Sequence, residues 1–195
     1  MCISFNPSLT RWHSLRVPAI PRRGAPDVSF CLTFLWPHRM ACLLSDAYLR
    51  HFEGRANYSV DRGLGHAVYF NEDTGVHFRF DIRPAELREG RWDHELAQSA
   101  DGLYPVGVTF TMDYQRPHFF ALEAAREIAV LTESFGLLVD DPHSAGVGRD
   151  LFDPDAFIRS WNLENRYGEG GVIGWRARGL RPASLPRKRL ESIWQ

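Results

Sequence analysis

The sequence predicts an α+β fold: a mostly antiparallel sheet with helices packed on one face, in a ferredoxin-like or split β-α-β arrangement. Several stretches alternate apolar and polar residues with a period of two, as half-buried strands do. One long stretch, Phe120 to Phe135, repeats its apolar residues at steps of four and three, which places them on one helical face. Adjacent strand-like runs with few helices between them point to hairpins rather than to a doubly wound parallel sheet.

Residues 1–27 stand apart, because Pro7, Pro18, Pro21 and Pro26 interrupt every element and no acid precedes Asp27. The lack of acids resembles a transit peptide, but the prolines break the amphipathic helix such peptides form, and no apolar stretch supports a secretory signal. This part reads as a disordered or over-extended start. A single α+β domain is expected over 28–168, followed by a basic tail over 169–195.

Val28 to Trp36 is the first expected strand, ended by Pro37. Ser45 or Asp46 caps a short helix through Phe52, which Gly54 stops. Tyr58-Ser59-Val60 is a short strand, and His66 to Phe70 and Val76 to Ile82 flank Asn71 to Gly75, whose composition is that of a hairpin turn. Arg83 to Gly102 reads as a partly helical connection. Val106, Val108, Phe110 and Met112 alternate with Gly107, Thr109, Thr111 and Asp113 as the next strand. Pro117 suits a first helical turn, since its fixed φ fits and its missing N–H loses no bond there. Phe120, Ala124, Ile128, Leu131 and Phe135 make the apolar stripe, Gly136 supplies a left-handed stop, and Leu137 to Val139 begins the return strand. After a loop over 141–148, Asp153 caps a helix with Pro154 at its first position and Phe157, Ile158 and Trp161 as its stripe. In the tail, Val172 to Trp175 reads as an edge strand and Ser184 as the cap of a last helix from Leu185.

A chain of 195 residues, 44% hydrophobic, buries enough surface to fold without metal or disulfide. Cys2, Cys31 and Cys42 show no CxxC spacing, so a reduced, cytoplasmic compartment is expected, and both Cys31 and Cys42 read as core residues rather than nucleophiles. No apolar run reaches the roughly 18 residues of a membrane span. The net charge of −1 hides an asymmetry: residues 44–168 hold 12 basic and 21 acidic residues, whereas each end carries an excess of Arg. An acidic body repels phosphate backbones, so nucleic-acid binding, resting on the basic tail with Trp175 and Trp194, is the least favoured class. The use of 22 Arg against the single Lys188 fits codon usage in a GC-rich bacterial genome.

Two polar constellations stand out. On the strand Val76 to Ile82, His77, Arg79 and Asp81 share the face opposite the apolar one, and Thr109 and Thr111 extend it if the next strand is a neighbour. This is a candidate binding surface, although cross-strand pairs of this kind also simply keep a sheet soluble. The second is Asp113, His118, Asp140 and His143, gathered where strands hand over to a helix or a loop. If the strands of 106–112 and 137–140 are parallel neighbours, these groups converge on one rim and could do acid/base work or hold a divalent ion. Asn71-Glu72-Asp73 lacks the spacing of a calcium loop, and no dinucleotide, phosphate-loop or hydrolase-elbow motif occurs. No cofactor is expected. The leading expectation is a non-catalytic, immunity- or adaptor-like domain that binds a partner protein through an acidic or open-sheet surface. The alternative is a small metal-dependent hydrolase using the Asp/His cluster.

Overall fold

The computed structural model describes residues 29–37, 45–82, 102–143, 146–167, 179, 188–189 and 192. The expected start over 1–27, nearly all of the connection from Arg83 and the tail strand at Val172 lie outside the described residues. Of the expected last helix, Lys188, Arg189 and Ser192 are described.

The elements are β1 (Ser29–Trp36), α1 (Ser45–Phe52), β2 (Tyr58–Asp61), β3 (His66–Phe70), β4 (His77–Ile82), β5 (Tyr104–Asp113), α2 (Phe119–Phe135), β6 (Leu138–Asp140), β7 (Arg149–Leu151) and α3 (Pro154–Tyr167). The seven strands form one sheet in the order β2-β3-β4-β5-β1-β6-β7, and each neighbouring pair is antiparallel. The α+β class therefore holds. The sheet is not a simple split β-α-β, and the ferredoxin-like order is not seen. Nor are β5 and β6 neighbours: β1 lies between them, antiparallel to both, so α2 crosses over a strand.

Local chemistry explains most of the boundaries. Asn71 turns the β3–β4 hairpin by accepting the Asp73 N–H at 3.0 Å on its own Oδ1, and Gly75 takes the left-handed φ of 72° that closes it. Asp153 Oδ1 accepts the N–H groups of Asp155 and Ala156 at 2.9 and 3.1 Å, which caps α3. α2 begins two residues after Pro117 and ends at Gly136, whose φ of 62° no side-chain-bearing residue adopts cheaply. Gly107, at φ 77°, sits in β5 where its register with β1 shifts between Thr33 and Leu35, a bulge.

Among the described residues, the helices α1, α2 and α3 pack on one face. Phe52 of α1 stacks on Phe80 of β4 with ring centroids 4.9 Å apart, and Tyr48 meets Phe135 of α2 at 4.6 Å. Phe157 of α3 sets its ring edge-on to Phe30 of β1 at 5.6 Å and to Phe110 of β5 at 6.0 Å. Phe30, Phe52, Phe80, Phe110, Phe157 and Trp161 are fully buried. Burial of this order is worth about 2–3 kcal/mol per large side chain.

Candidate functional site: the open sheet face and its rim

The strand period sends the alternate side chains to the other face. Asp61, His66, Asp81, Thr109, Thr33, Asp140 and Arg149 are successive register partners, so one polar row crosses all seven strands. Ser59, Val68, Arg79, Thr111 and Cys31 form the row beside it. Every residue of both rows reaches solvent. His77, Arg79, Asp81, Thr109 and Thr111 are thus brought onto one surface, as their alternation implied. Cys31 also faces this side and is half-buried, with its thiol 3.7 Å from Ser29 Oγ; it is not a core residue. Cys42 lies outside the described residues.

Charge on this surface is organised in two similar groups. Asp81 receives Arg79 Nε at 2.9 Å and has His66 Nε2 at 3.1 Å. Asp113, at the end of β5, receives Arg116 Nη2 at 3.0 Å and has His77 Nε2 at 3.5 Å. The neighbouring His77 imidazole, aided by Arg116 and opposed by partial burial, holds the Asp113 carboxyl down at about 2. His77 Nδ1 lies 3.2 Å from the Gly75 carbonyl, which fixes the ring over the hairpin.

The four residues of the hydrolase alternative do not assemble. Asp113 is engaged as above, His118 meets Asn162 of α3 at 3.2 Å, and Asp140 pairs with Arg149 across β6–β7 at 3.2 Å. His143 instead joins Asp141, whose carboxylate Oδ1 stands 2.6 Å from His143 Nδ1 and accepts the His143 backbone N–H at 2.9 Å. The imidazole stacks on Phe30 at 4.0 Å, and its Nε2 lies 3.4 Å from the Tyr114 hydroxyl. Burial pushes the Tyr114 phenol well above its ordinary range, so it stays protonated and donates. Among the described residues, no three His, Cys, Asp or Glu side chains are grouped to hold a metal ion.

A second polar site escaped sequence reasoning. Glu123 of α2 is buried, and its Oε1 accepts from the Tyr69 hydroxyl at 2.5 Å and from Asn71 Nδ2 at 2.7 Å, while Oε2 accepts from Thr74 at 3.2 Å. One turn on, Glu127 Oε2 accepts from Arg55 Nη2 at 2.7 Å and from the Tyr58 hydroxyl at 2.8 Å. Burial pushes Tyr69 up to about 12, with the bond to Glu123 adding to it, and raises Tyr58 further still. Tyr69, Asn71, Thr74, Glu123, Arg126 and Glu127 line a cleft of about 380 Å³. The bonds clamp the hairpin and the β2–β3 edge onto α2. The only sequence signal was that Glu123 and Glu127 flank the apolar stripe at a spacing of four.

Compared with protein-family models, curated proteins and solved structures, the chain matches none of them.

Proposed function

We propose that this chain is a non-catalytic interaction domain that binds a partner protein through the uncovered face of its sheet. One observation carries the reading: among the described residues, three helices cover one face, while the other presents two mostly polar rows that reach solvent on every strand they cross. Antiparallel sheets tolerate one wet face, and a broad, regular one offers a partner a preformed surface with little ordering cost. The acid excess over residues 44–168 favours a basic partner, because complementary charge speeds encounter.

The test is affinity capture from the native host with two variants that replace no member of the ion pairs described above. Thr109→Arg with Thr111→Arg places bulk and positive charge in the middle of the face, and should weaken capture of the partner at least about tenfold. Glu133→Arg, on the exposed side of α2, should not. Equal capture by the Thr109/Thr111 variant, with unchanged circular dichroism and melting temperature, contradicts the proposal.

A further inference from the structure

The same His–Asp–Arg grouping occurs twice on this surface. His66 and Arg79 share Asp81, and His77 and Arg116 share Asp113. The neighbours of each imidazole are defined. Facing His66 are Asp61 from β2 and Asp81 with Arg79 from β4. Facing His77 are the uncharged Phe70 of β3, Asp113 of β5, Arg116 of the following loop and the Phe120 ring of α2 at 5.5 Å.

Across the face and its rim, the carboxylates of Asp61, Asp81, Asp113 and Asp140 stand against the guanidinium groups of Arg79, Arg116 and Arg149. With both imidazoles neutral, carboxylates outnumber cations by one. With both protonated, cations outnumber carboxylates by one. Each proton taken up by His66 or His77 adds one positive charge, so protonation of the pair reverses the sign of the charge on this surface. The side chains of His66 and His77 are each about one-third exposed, open to solvent protons yet close enough to a docked partner to act on it.

We infer that the open face is a proton-gated docking surface for a cationic protein segment, with His66 and His77 as the gate. The inference rests on the interaction reading above and adds the chemistry of the partner and the condition for its release. Protonation puts a positive charge beside each carboxylate that a lysine or arginine of the partner would otherwise approach, and the contact weakens. The arginines hold the carboxylates in place throughout, so the sheet itself does not have to move.

An octalysine peptide serves as the probe, titrated into the full chain while backbone amide resonances are followed by NMR at pH 8.0 and pH 5.5. At pH 8.0 the shifts should map to β3, β4 and β5 around His66, Arg79 and Thr111, and affinity there should fall roughly tenfold at pH 5.5. His66→Gln with His77→Gln should hold the affinity constant between the two pH values, and each single variant should remove part of the change. The inference is overturned if the peptide leaves these strands unshifted at pH 8.0, binds them equally at both pH values, or keeps its pH dependence in the double variant. Those outcomes leave the host-partner capture and its Thr109/Thr111 control unaffected, so the two readings fail separately.

Discussion

Asp141 and Asp140 are neighbours in sequence with opposite fates. Asp140 follows the strand alternation onto the open face and meets Arg149, whereas Asp141 turns inward on the side of Val139, its side chain wholly buried. Sequence reasoning placed Asp140, rather than Asp141, in a cluster with Asp113, His118 and His143. Extending the period of two past Val139, to the second residue on, would have pointed to Asp141 instead. The buried carboxylate has little room: a Cβ on Gly146 would lie 1.9 Å from Asp141 Oδ2. Gly146→Ala should therefore lower stability by about 1–3 kcal/mol through forced displacement. Asp141→Ala should cost about 2–3 kcal/mol by stranding backbone N–H groups, both read from urea unfolding. Asp113 gives a pH-dependent counterpart. Its carboxyl lies near 2 in the fold against an ordinary 3.8, so its contribution is present above about pH 4 and lost as pH falls toward 2. Asp113→Asn should flatten the urea midpoint between pH 4.5 and 2.5 relative to the parent chain; an identical slope would refute the assignment.

At the scale of elements, what was legible depended on local chemistry. The hairpin at Asn71 to Gly75, the Asp153 cap and the Gly136 stop use residues whose backbone preferences are intrinsic, and each is found where it was read. β7 was missed because Arg149-Asp150-Leu151 is exposed throughout and has no alternation to read; its pairing with β6 is purely non-local. Glu123 was missed for a related reason. A carboxylate on a helix reads as solvated until the donors that satisfy it, here Tyr69, Asn71 and Thr74, arrive from β3 and its turn. Glu123→Gln presents an amide N–H₂ to groups that are themselves donors. It should cost about 1–3 kcal/mol in chemical denaturation and accelerate hydrogen exchange in the β3–β4 hairpin before the rest of the sheet. Uniform exchange across all strands would show that this network does not anchor the hairpin.

For the whole molecule, the one-sided layering was visible in advance, because period-two strands with a single long apolar helix leave no second apolar layer to cover the polar face. Strand order was not visible. Insertion of β1 between β5 and β6 depends on Phe30, Leu32 and Phe34 finding the centre of the core, a choice among long-range pairings that no local pattern encodes. The same insertion places Thr33 at the middle of the polar row and joins both halves of the open face into one surface. That continuous surface is the central claim. Photocrosslinking in the native host tests it most directly, with a photoreactive residue placed in turn at Thr111 on the open face and at Glu133 on the helix layer. A discrete protein adduct from position 111, absent from position 133, is the predicted result. Adducts from position 133 alone, or equally from both, would contradict it.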